Sequence, residues 1–166
     1  MKQAIIAVLL LLNLTFPAMA AGNCYSADEV QAEQFLRLHS ELMVITVTCK
    51  YSSDGDDLVK PYTTFTNTHV AALRNAEQVM ARYYQKRYGG DGMSQVDKLR
   101  TKLANEFGQS IANVSAPLFC AQRRDKVMKM YDARTSTVNE EVAQMCTDTL
   151  TYVPACDGKL RVARKN

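Results

Sequence analysis

Two histidines and five cysteines are the side chains of this 166-residue chain whose chemistry turns most on where the fold puts them. His39 falls ten residues before the expected end of a first helix at Cys49, and His69 eight residues into a second helix opened by Pro61. In an antiparallel hairpin, at 1.5 Å of rise per residue, the two imidazoles stand about 15 and 12 Å from the same end. Facing one another inside a bundle, they would suit haem or a transition metal, with Met43 or Met80 as soft ligands. The plainer reading, preferred here, makes each a hydrogen-bonded boundary residue, and on it no cofactor and no metal are expected.

The cysteines, at 24, 49, 120, 146 and 156, are odd in number, so one at least stays free or pairs between chains. No two are separated by two residues and no histidine closely follows one, which argues against zinc clusters, thioredoxin-like redox pairs and covalent haem. They read as structural staples. Ser40 beside His39 is no catalytic pair, because adjacent helical residues point in different directions. Glu29, Glu33, Glu41, Glu77 and Glu106 occur at ordinary helix frequency on faces that look exposed, which is no sign of the paired carboxylates of a glycosidase. No catalytic residue is assigned, and an envelope enzyme ranks last among the readings.

These side chains must be carried by helices. Ser26 with Glu29 forms a capping box ahead of a first helix in which Phe35, Leu38, Leu42, Ile45 and Cys49 make one apolar stripe. The β-branched end, Val44 to Thr48, leaves room for a strand. Residues 51–60 read as a solvated loop whose acids lack the spacing of a calcium loop. The second helix, from Pro61, carries Phe65, Ala72, Ala76, Met80 and Tyr83 on one face and stops at Gly89-Gly90. Near its end Tyr83, Tyr84 and Tyr88 cluster with Arg82, Lys86 and Arg87, mainly capping the core.

Ser94 with Asp97 is expected to open a third helix, with Leu99, Leu103, Phe107, Ile111, Val114 and Leu118 in rhythm. Pro117 either kinks it or starts a fourth, which runs to about Ala133. Thr137 with Glu140 opens a fifth, carrying Val138, Val142, Met145 and Thr149. The expected fold is therefore all-α: an up-down bundle of four to five helices, stapled by disulfides. With the first three helices running up, down and up, Cys49 and Cys120 share one end, and a bridge between them is worth roughly 4 kcal/mol in the chain-entropy model. Cys146 and Cys156 flank Pro154 and suit a local bridge. Cys24 is left over, available for a dimer.

The first twenty residues set the compartment. A basic start, the apolar run from Ala4 to Leu12 and small residues before a cut after Ala20 read as a secretory signal peptide. The run is too short to span a membrane. Residues 21–153 then form one bundle domain and 154–166 a basic tail containing Lys159, Arg161, Arg164 and Lys165. A formal net charge of +3, close to balance, does not suit a nucleic-acid partner.

The run Leu36-Arg37-Leu38-His39-Ser40-Glu41-Leu42-Met43-Val44 with Cys49, then Tyr62-Thr63-Thr64-Phe65, Tyr88-Gly89-Gly90, Thr101-Lys102-Leu103-Ala104-Asn105 and Phe119-Cys120, resembles a family of small uncharacterised exported alphaproteobacterial proteins. The likeness covers roughly residues 24–120. It implies a periplasmic setting and supports the Cys49 to Cys120 pair, and it implies no activity. The functional expectation is a non-catalytic binding module of the cell envelope with a protein partner. A haem or metal bundle using His39 and His69 is the alternative.

Overall fold

The computed structural model describes residues 23–51, 57–148 and 151–156, so the expected leader, most of the acidic loop, Thr149 and the tail from 157 onward lie outside the described residues. Six helices are found among them: α1 (Ala27–Cys49), α2 (Val59–Thr68), α3 (Val70–Tyr88), α4 (Gly92–Val114), α5 (Ala116–Tyr131) and α6 (Thr135–Asp148). The all-α bundle is as expected. The count is six because the long second helix breaks at His69, whose backbone (φ −106°, ψ 17°) leaves the helical region while its amide still closes on the Phe65 carbonyl. That break turns the following face. Ala72 is exposed, and Leu73 enters the core in its place.

The capping box on α1 is complete, with Ser26 Oγ accepting from the Glu29 amide and the Glu29 carboxylate accepting from the Ser26 amide. The β-branched run stays helical through Cys49. Asp57 accepts from the Val59 amide at the start of α2, and Pro61 lies in that first turn, where no helical amide bond is lost. α4 starts three residues earlier than a Ser94 N-cap implies, because Asp91 accepts from the Met93 amide as N-cap. The turn before it needs Gly89 (φ 72°), and Gly92 brings α4 against α3 so closely that a Cβ there would collide with the Ala81 carbonyl. α4 stops at Val114, Ser115 turns the chain with φ 78°, and Pro117 sits in the first turn of α5. Leu118, expected in the α4 stripe, is exposed on the new helix. α6 likewise begins at Thr135, ahead of the Thr137–Glu140 box, with Val138, Val142 and Met145 buried as their spacing implies.

α1 is the axis of the molecule and packs against each of the other five helices. Its apolar stripe, Phe35, Leu38, Leu42, Ile45 and Cys49, is buried, and so is almost everything else from Ala32 to Leu42. Amphipathic patterning assumes one wet face, and a helix walled on all sides has none. Glu33 and Glu41, placed on exposed faces by the sequence pattern, are therefore in the interior, with Gln34, Arg37, His39 and Ser40.

Two disulfides close the chain. One joins Cys49 at the end of α1 to Cys120 in α5. The second joins Cys24 to Cys156, so Cys24 is not spare and the local Cys146–Cys156 bridge is not formed; Cys146 is the free cysteine. Pro154 to Cys156 consequently belong to the body, not to a hanging tail. Tyr25 and Ala155 form a parallel bridge in which the Tyr25 amide donates to Pro154 O (2.7 Å) and the Cys156 amide to Tyr25 O (2.8 Å). Both side chains are buried. Among the described residues no helix is long and apolar enough to cross a membrane.

Candidate functional site

α4 turns two stripes outward and inward. Val96, Leu99 and Leu103 face the core, while Asp97, Thr101, Lys102, Asn105 and Glu106, at steps of three and four residues, share the opposite side. Against this polar stripe lies Tyr152, and between them runs an open groove of about 720 Å³. Its chemistry is mixed: hydroxyl, amide, carboxylate and ammonium groups around one aromatic ring.

Tyr152 is fixed from four directions. Its amide donates to Glu33 Oε1 (3.0 Å), its hydroxyl donates to Glu106 Oε2 (2.5 Å), and Lys102 Nζ stands 3.4 Å from its ring centroid. The Arg37 guanidinium lies 5.1 Å from the same centroid. Arg37 is itself buried, donating from Nη1 to Glu106 Oε1 (2.6 Å) and from Nη2 to Glu33 Oε1 (3.4 Å). Glu106 thus carries the link between interior and groove, with one oxygen on buried Arg37 and the other on the groove's tyrosine. Positioned by these bonds, its carboxylate keeps a fixed orientation at a partly exposed site, which suits recognition.

Behind the groove the electrostatics favour neutral forms. Burial raises the Glu33 carboxyl above its ordinary range, with the Tyr152 amide and Arg37 only partly opposing it. Glu33 Oε2 and Arg37 Nε have no hydrogen-bond partner among the described residues. Tyr25, whose hydroxyl lies 3.5 Å from that of Tyr84, is pushed up by burial and by the neighbouring Glu33, and Tyr84 is pushed up to about 12, chiefly by burial. Tyr25, Tyr83, Tyr84 and Tyr88 form a chain of ring contacts from the core to the surface, with centroids 4.7, 5.3 and 6.1 Å apart.

Each of the two histidines is engaged with a neighbour at Nε2. His39 Nε2 lies 3.1 Å from the Tyr62 hydroxyl, and burial drives its imidazole down to about 4, so it is neutral. His69 Nε2 donates to the Ala133 carbonyl (3.1 Å) and its ring packs on Phe65. Nε2 of each ring is thus engaged internally, and Met80, named as a soft ligand, is core. No cluster of three or more potential metal ligands occurs among the described residues. No family model, no curated protein and no solved structure matches this chain.

In the sequence Glu33 and Glu106 read as ordinary helix glutamates, and no groove residue has unusual chemistry alone. Two signals were there: Glu33 and Arg37 stand four apart on one helix, and α4 keeps an unbroken polar stripe. Tyr152 had no signal, since its contact with Glu106 spans 46 residues of sequence.

Proposed function

We infer that this protein is an exported binding module of the periplasm, and that the groove between α4 and Tyr152 receives a segment of a protein partner. The observation that carries this reading is Glu106, a partly exposed carboxylate held at both oxygens by a buried arginine and a tyrosine at the mouth of a roughly 720 Å³ groove. Fixed polar groups on a rigid helix are what oriented recognition needs, since less freedom is lost when a ligand docks. Lys98, Lys102, Asp97 and Glu106 present both signs of charge, which fits a peptide carrying both. The leader-like first twenty residues and the two disulfides support export into an oxidising compartment. The internal hydrogen bond at Nε2 of each imidazole favours this reading over the haem or metal alternative.

A photo-crosslinking amino acid at Asn105, in the groove, compared with one at exposed Gln122 on α5, tests the assignment in cells producing the protein. A discrete adduct from position 105 that Glu106→Ala weakens is expected. Adducts from 122 alone, or equal adducts from both, would remove the groove from the account.

A further inference from the structure

The free thiol and one of the two disulfides face the same space. A cavity of about 400 Å³ at the start of α1 is lined by Tyr25, Val30, Cys146, Ala155 and Cys156. Cys146 reaches it from the last turn and a half of α6 and is partly buried; Cys156 belongs to the bridge with Cys24 and is exposed. A nucleophile and its electrophile therefore share one pocket wall. Cys146 and Cys156 are also joined by a short stretch of chain, and besides the sulfur bond Cys156 is held to the N-terminal segment by one backbone hydrogen bond to Tyr25.

We propose that Cys146 is an exchange thiol for the Cys24–Cys156 disulfide, making this end of the bundle a thiol–disulfide switch. The Cys146 sulfur, as thiolate, attacks Cys156 Sγ; the bond to Cys24 breaks as the Cys146–Cys156 bond forms, and Cys24 leaves as a thiolate that takes up the proton Cys146 lost. One disulfide and one thiol stand on each side of the step, so no oxidant or reductant is consumed. The products differ in what is tied. In the structure the bridge clamps the N-terminus of α1 to the segment bearing Tyr152; after exchange it closes only a local loop around Tyr152 and frees Cys24. Burial pushes the Cys146 thiol up, which lowers its thiolate fraction and makes exchange slow. This proposal does not depend on what the groove binds.

The test uses the full protein purified without reductant. After prolonged incubation at neutral pH, free thiols are trapped with N-ethylmaleimide at acid pH and the non-reduced protein is digested and mapped by mass spectrometry. Label on Cys24 together with a Cys146–Cys156 peptide is expected, at about tenfold or more over the Cys146→Ser variant, in which no intramolecular attacker remains. A Cys24→Ser variant provides an independent reading, since it should fold with Cys146 and Cys156 joined and no labelled thiol. Label confined to Cys146 in the parent, with Cys146 and Cys156 both labelled in folded Cys24→Ser, would overturn the proposal. An intact Cys49–Cys120 peptide in each sample shows that exchange occurred without general scrambling.

Discussion

The two ends of α1, roughly 33 Å apart at 1.5 Å per residue, handle the same problem differently. Toward its C-terminal half, Glu41 is buried, yet both oxygens are met, by Arg123 (3.2 Å) and Lys126 (2.8 Å), and Lys126 continues to Glu141. Those cations come from α5 on side chains that keep solvent exposure, 49% for Arg123 and 23% for Lys126, so the charges remain partly hydrated. Toward the N-terminal half, Glu33 faces an arginine as buried as itself, and an atom of each has no hydrogen-bond partner among the described residues. Two glutamates two turns apart on one helix thus differ in cost because their partners come from different depths. The ends differ in sulfur too: Cys49–Cys120 closes one, while the other holds a disulfide and a free thiol around one cavity. The buried Glu33–Arg37 pair, the exchangeable covalent tie and the groove's tyrosine lie at the same end.

The largest effect expected follows from the sulfurs. Treating Cys24–Cys156 and Cys49–Cys120 as entropic cross-links over separations of 132 and 71 residues, the chain-entropy model assigns about 5 and about 4 kcal/mol. Urea denaturation should therefore find Cys24→Ser with Cys146→Ser about 5 kcal/mol less stable than the parent, and Cys49→Ser about 4. Cys24→Ser alone should lose only about 2, because Cys156 can re-pair locally at that end. Equal losses for the single and the double variant would erase the contrast between the ends.

Arg37→Ala comes next. It removes the partner of a buried carboxylate and the inner support of Glu106, and should cost about 3 kcal/mol. Glu33→Gln, which keeps the acceptor for the Tyr152 amide and brings no charge, should be neutral or stabilising at pH 7. A loss for Glu33→Gln as large as for Arg37→Ala would mean that the ionised pair stabilises the fold.

The pH dependences of these two stretches of α1 should have opposite signs. His39 has a folded value near 4, below its ordinary 6.5, so its contribution is present above pH 6.5 and is lost as pH falls through 4. At 1.36 kcal/mol per unit that is about 3 kcal/mol in full, and His39→Gln should flatten this part of the acid limb. Glu33 is raised, so its contribution is present below the value of the unfolded carboxyl and is lost as pH rises through the folded one. Stability of the parent minus that of Glu33→Gln should therefore fall with rising pH, as read by thermal melts across pH 4 to 8. A difference that rises instead would show the carboxyl ionised in the fold.

The smallest expected change lies at the joint between α4 and α5. Ser115 holds φ 78° and ψ 150°, a region that favours glycine. Ser115→Gly should raise stability by about 1 kcal/mol in the same urea assay, against the usual direction of a glycine substitution.

Much of the fold was legible residue by residue. The Ser26–Glu29 box, the Phe35 to Cys49 stripe, the Gly89 stop and the helix-opening Pro61 and Pro117 act within a few residues of themselves, so their signals survive in one dimension. The break at His69 was not legible, because nothing in Thr66-Asn67-Thr68-His69 forbids a helix, and the bend follows from α2 packing on α5 while α3 packs on α1 and α4. The site was almost wholly hidden. Arg37 and Glu33 were visible as a spaced pair, but their burial was not, and Tyr152 meets them only because a disulfide and a single bridge fold the C-terminal segment back onto Tyr25.

What these residues determine alone is helical periodicity, the capped start of α1, the Gly89 stop and the shared end of Cys49 and Cys120, since each follows from local chemistry or from spacing along a regular helix. What only the tertiary structure decided is that α1 lies at the centre, that Cys24 takes Cys156 from Cys146, and that α4 and Tyr152 enclose a groove. Periodicity states which residues share a face; whether that face meets water or another helix depends on contacts between segments far apart in the chain.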